Sequence, residues 1–309
     1  MSRINYPVAA ALAVAFIFGL SFVFTKDTLT YLSPFQLLGL RFGLAALSLT
    51  LLVALRLVKL NIKTEHLPEL LKIAVWQPVL YFIFETYGIN YTTASESGVV
   101  IALAPMAVMV LSIIMLGERI TAGQGVCVAS AVAGVAVIAL AGTDTQSGSP
   151  SANHLLGILM LFGAVTAAGF YNIFSRRAAK RLAPFAITFV MMWLGAIVFN
   201  SIGLSQSYLT GQLAGYYTSL QHPQVVAGIV YLGLLSSVTA FFLLNYALSR
   251  MPASRAAVFL NLIPIVSLMA GILFYGERLG EWQIAGCGLI MLGVWGTNYF
   301  AERQSESLE

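Results

Sequence analysis

Arg41 and Glu85 are ionisable side chains set inside long apolar stretches of this 309-residue chain. Left charged and alone near the centre of a bilayer, each would cost roughly 2.5–3.5 kcal/mol, so each needs a partner or water. At a rise of about 1.5 Å per residue, Arg41 lies roughly 9 Å and Glu85 roughly 6 Å below the same face, at similar depths. Two readings follow: an ion pair that serves as a structural tie or gate, or an unpaired Glu85 that carries a proton. The equivalent positions in the second half of the chain are Met191 and Leu244, so acid and base vanish together, as a pair would. Gln77, Tyr81 and Glu85 recur every four residues beside Pro78 and so are expected on one polar, aromatic helix face. Ser237, Phe241 and Asn245 repeat that spacing further on, and Tyr171, Asn172 and Asn261 add rings and amides. Rings for an apolar body and amides for charged ends describe a moderately polar cavity for a small amphipathic solute.

The same inventory lacks the parts of a catalyst. The histidines His66, His154 and His222 fall in connections, and Asp27 and Asp144 lie outside the apolar stretches, so no facing carboxylates or metal ligands are expected. No phosphate-binding Gly-rich loop and no His-Glu-x-x-His pattern occurs. Cys127 and Cys287 sit in apolar stretches without metal spacing and read as packing. No enzyme, cofactor or metal is expected.

The elements that must position these residues follow from composition. Hydrophobic residues make up 59% of the chain and charged residues 9%, too little polar surface for a soluble globule. At about 20 residues per span, ten stretches fit, near 6–25, 35–57, 70–89, 97–116, 122–141, 155–175, 184–204, 224–247, 254–275 and 282–300. Their uniform apolarity excludes barrel strands, which alternate. Ser205–Pro223, with Tyr208, Tyr216 and Tyr217, reads as an interfacial connection, and 303–309 as a disordered tail. The net charge of +4 does not point to nucleic acid. Basic residues such as Arg56, Lys59, Arg176 and Arg250 gather on the side of the N-terminus, leaving Lys26 and Arg278 on the other, which places both termini in the cytoplasm. The first span resembles a signal sequence but has a twin later in the chain, so it is expected to be retained.

That twin belongs to a duplication. Thr86–Ile120 and Asn245–Leu279 align without a gap at a spacing of 159, sharing a Tyr, Ala-Ser, a mid-segment Pro and a terminal Gly-Glu-Arg. Gly19, Phe24, Lys26, Pro34 and Phe35 fall on Gly169, Phe174, Arg176, Pro184 and Phe185 at a spacing of 150. The division is 1–150 and 151–302, and five spans per half make the halves antiparallel. Pro105 and Pro264 occupy matching mid-span positions and predict bends beside a midplane cavity, where Asn261 stands opposite its twin Ala102. Each Gly-Glu-Arg predicts a helix stop whose acid faces the amino end of the next helix. Gly39 and Gly43 frame Arg41 as a close-packing motif.

Phe18-Gly19-Leu20-Ser21-Phe22, Pro34, Arg41 and the paired Pro…Gly-Glu-Arg runs resemble the drug/metabolite transporter superfamily in its EamA-type branch. The resemblance spans nearly the whole chain and is greatest to the YddG-type exporters of aromatic amino acids. It departs at Phe18, where Trp is common, and in having no second-half match for Arg41. It implies an all-α integral membrane fold of ten transmembrane helices in two inverted five-helix repeats, in a bacterial inner membrane. It also implies that spans five and ten are peripheral and that one, three, four, six, eight and nine line the cavity. The function expected is export of small amphipathic metabolites, foremost aromatic or large apolar amino acids, by alternating access. Alternatives are a phosphosugar or nucleotide-sugar exchanger, for which one buried arginine is too few, a passive channel, and a non-transporting membrane component. Oligomeric state is not fixed by the sequence.

Overall fold

The structure, a computed structural model, describes residues 6–60, 62, 64–116, 121–141, 152–178, 182–211, 213, 218–244 and 262–306. Eight of its helices are long and apolar enough to cross a membrane: Tyr6–Thr28, Pro34–Ala54, Thr64–Tyr91, Ala94–Met115, Ala122–Leu140, Ala152–Ser175, Phe185–Leu209 and Pro223–Leu244. They are spans one to eight. Ile263–Tyr275 is a shorter apolar helix in span nine, and Glu281–Glu306 is span ten. The last helix therefore continues past Phe300 into what the sequence reads as a disordered tail. Tyr208 likewise belongs to span seven, whose helix runs to Leu209, and not to a connection.

Proline chemistry shapes three spans. Pro78 disfavours helical backbone at the residue before it, and Gln77 is extended at φ −146°, ψ 115°, splitting span three. Wider, i→i+5 turns occupy Val75–Leu80 there and Tyr231–Ala240 in span eight. Shifted by 159, the first run falls inside the second, so the two repeats relax the same stretch of helix. Span four breaks at Ala102–Leu103, and Pro105 sits in the first turn of the new helix, where its missing amide costs nothing. Pro264 likewise occupies the first turn of the helix Ile263–Tyr275.

Glycines record how the spans cross. Gly39 and Gly203 of spans two and seven leave no room for a Cβ against Asn200 and Phe35. Gly98 and Gly271 do the same for spans four and nine against Ser267 and Ser95, and Gly134 and Gly293 for spans five and ten against Gly286 and Cys127. In each pair the residue numbers run in opposite directions, so repeat-equivalent helices pack antiparallel. Gly19 meets Val266 and Gly169 meets Ala107, contacts that the spacings of 150 and 159 convert into one another. The fold is all-α, two inverted five-helix repeats. Spans five and ten pack chiefly against each other. A buried core around Phe42, Phe82, Phe199 and Leu232 joins spans two, three, seven and eight, and a second around Leu161 joins spans four, five, six and ten.

Candidate functional site

Span two carries Arg41 into the middle of the bundle, where it is 3% exposed. Its Nε donates to Ser237 Oγ at 3.1 Å and its Nη2 to Ser236 Oγ at 3.2 Å, both on the widened stretch of span eight. The guanidinium carbon lies 4.5 Å from the centre of the Phe82 ring and 5.7 Å from that of Phe42, a cation–π arrangement in a buried site. Glu85, 7% exposed, accepts the Tyr81 hydroxyl at 2.9 Å. Arg41 and Glu85 feel each other's charge but make no direct salt bridge. Serine hydroxyls and aromatic faces surround the base, and a phenol serves the acid.

The break at Gln77 changes the polar face expected on span three. Tyr81 and Glu85 are one helical turn apart, but Gln77 precedes the break and is not carried on their helix. It is nevertheless buried, and its amide forms no hydrogen bond with another described residue. Pro78 lies against Gly195 of span seven, beside Phe42. Phe241 meets Phe18 edge to face at 5.5 Å, and Trp76 stacks on Phe170 at 4.3 Å. Tyr171 packs against the core and hydrogen-bonds Ser175. Asn172 is exposed and donates to the carbonyl of Ala168 at 2.8 Å, apart from this group. Asn245, Asn261 and Gly117-Glu118-Arg119 lie outside the described residues.

A second polar cluster sits at the end of the bundle where span one finishes. Lys26 Nζ donates to the carbonyls of Ile89, Asn90 and Thr92 at 2.9, 3.1 and 2.5 Å, capping the carboxyl end of span three. Gly276 ends span nine in the left-handed region at φ 60°. Glu277 then accepts from the amides of Ala94 and Ser95 at 2.9 and 3.1 Å. The acid thus serves the amino end of span four, in the opposite repeat, and not the helix that follows it in sequence. Glu96, 0% exposed, accepts from Thr93 N–H and O–H, from Gln283 Nε2 at 2.7 Å, and from His154 Nε2 at 3.1 and 3.2 Å. The sequence reading missed this cluster because it began spans four and six three residues late. Thr93-Ala-Ser-Glu96 is a capping box, and that signal would have moved Glu96 into its helix.

No group of three or more His, Cys, Asp or Glu among the described residues could hold a metal. The EamA-like transporter family matches residues 5–140 and 155–299, one match per repeat. An uncharacterized transporter, YcxC, of Bacillus subtilis (strain 168) is 34% identical over 298 residues, covering 96% of this chain and 94% of its own. A probable amino-acid metabolite efflux pump of Escherichia coli (strain K12) is 26% identical over 97% of this chain and 96% of its own. A crystal structure aligns at a TM-score of 0.58 and 15% identity over 96% of this chain and 99% of that one, a likeness of fold alone. These relatives are transporters and not enzymes, and the chain belongs to the EamA-like transporter family.

Proposed function

We propose that this transporter exports small amphipathic metabolites, foremost aromatic or large apolar amino acids, by alternating access between its two repeats. The observation that carries the reading is the buried polar group of Arg41, Ser236, Ser237, Tyr81 and Glu85, with the Phe42 and Phe82 rings against the guanidinium, within an otherwise apolar bundle. Gln77 has an uncommitted amide for a substrate's ammonium or carboxylate, with Asn245 and Asn261 as further amides, whereas Asn172 is exposed and serves its own helix. The rings of Tyr81, Tyr171 and Phe241 receive the apolar side chain. Pro78, Pro105 and Pro264 supply the bends about which the halves move. Arg41 and Glu85 hold the site's shape. A phosphate ester fits less well, because Arg41 is occupied by Ser236 and Ser237 and, among the described residues, no second basic side chain stands beside it.

The chain lies in a bacterial inner membrane with both termini in the cytoplasm, a reading supported by the placement of its basic residues. The Lys26 end is then the outer face. Uptake of a panel of labelled amino acids into proteoliposomes, with and without a pH gradient, tests the substrate. Saturable uptake of phenylalanine, tyrosine or leucine supports it. Failure of every amino acid, with exchange of phosphate esters instead, overturns it.

A further inference from the structure

Glu96 is where three spans meet. It belongs to the first turn of span four, His154 to the first turn of span six, and Gln283 to the first turn of span ten. Glu96 already accepts from Thr93 and Gln283, and as an ionised, acceptor-only carboxylate it takes a further proton donor in His154 Nε2. His154 Nδ1 is buried without a hydrogen bond, and the backbone of Ala139 lies close to the ring. We propose that Glu96 and His154 form a proton-binding site on the outer face, and that the bound proton locks spans four, six and ten together. The location rests on the orientation proposed above.

Other charged and titratable groups face this site without replacing its proton. Lys26 of span one attracts Glu96, but its ammonium is engaged by three carbonyls. Glu277, after span nine, is a second negative charge, held on the amides of Ala94 and Ser95, and beyond it Asp27 faces Tyr275. Cys287 of span ten lies within the field of Glu96. With Glu96 ionised, protonating His154 turns its hydrogen bond to the carboxylate into an ion pair, in which both partners are charged. Beneath the site, Phe22, Val23, Ile89, Ala94 and Ala270 form a small plug from spans one, three, four and nine. Acid tightens the tie above the plug, and loss of the proton loosens it and opens a path to the plug.

The test needs neither a substrate nor an orientation. In nanodiscs, where reagent and buffer reach both faces, Ala270→Cys is placed in a Cys127→Ala, Cys287→Ala background, since Ala270 is only 3% exposed. Its maleimide labelling rate is divided by that of Tyr208→Cys, an exposed position that corrects for thiol chemistry. From pH about 5 to about 9, across imidazole titration, the ratio should rise about fivefold. His154→Gln keeps a donor but cannot charge, and Glu96→Gln keeps the capping box. Both should give a flat ratio. A ratio that is flat in the parent, or that keeps its pH dependence in either variant, overturns the proposal. Failure of amino-acid uptake would instead strike the substrate reading and leave this result standing.

Discussion

The carboxylate of Glu277 accepts the amide proton of Ala94 at 2.9 Å, across the boundary between the two repeats. Its second oxygen takes the amide of Ser95, so an acid from the second repeat neutralises the partial positive charge at the amino end of span four. A few ångströms along the chain, Lys26 caps the carboxyl end of span three. The corner between spans three and four is thereby fastened by one anion and one cation, each matched to the helix end it touches.

Removing that fastening should lower stability. Glu277→Ala is expected to cost about 1–2 kcal/mol, the usual worth of a helix cap with a dipole contribution. Glu277→Gln, which keeps one acceptor, should cost about half as much. Thermal unfolding in detergent, followed by intrinsic fluorescence, reads both.

Glu85→Gln should leave any dependence of transport on a proton gradient unchanged. Tyr81 can donate to an amide oxygen as it does to the carboxylate, so the site keeps its shape. Gradient-driven uptake by the variant beside the parent is the measurement, and a selective loss of the gradient response would assign the proton to Glu85 after all.

Arg41→Lys should be more damaging than Glu85→Gln. An ammonium cannot reach Ser236 and Ser237 together in the guanidinium's fork or lie flat on Phe82. A loss of about 1–3 kcal/mol is expected for a buried charged hydrogen-bonding group, read as a lower unfolding temperature.

Gly98→Ala and Gly288→Ala should separate close contact from helix propensity. A Cβ on Gly98 collides with Ser267 of span nine, whereas nothing lies within 4 Å of one on Gly288. The first should destabilise by about 1–3 kcal/mol through overpacking. The second should be neutral or stabilise by up to about 1 kcal/mol. Detergent melting of the two variants side by side checks the contrast.

Much of the fold was legible because the duplication fixes it. Gly19 and Gly169 are equivalent in sequence, and their contacts with Val266 and Ala107 are equivalent in space. The burial of Arg41 and Glu85 was legible too, since hydrocarbon forces a charged group to find company. Their partners were not, because Ser236 and Ser237 reach Arg41 only through the widened turns of span eight, which periodicity does not announce. Pro78 was visible, yet its effect on Gln77, a break in place of a continuous polar face, depends on how the neighbouring helices accept it. Glu96 and His154 escaped notice because apolarity alone places helix starts poorly. Only the capping box marks the first turn of span four.

Exchange across the membrane tests the transport account most directly. Proteoliposomes loaded with labelled phenylalanine should release it faster when unlabelled phenylalanine is added outside, as a carrier with one alternately exposed site requires, and Gln77→Ala should raise the concentration needed for half-maximal stimulation. Release that is unsaturable and indifferent to external phenylalanine would contradict a single chamber shared by the two repeats.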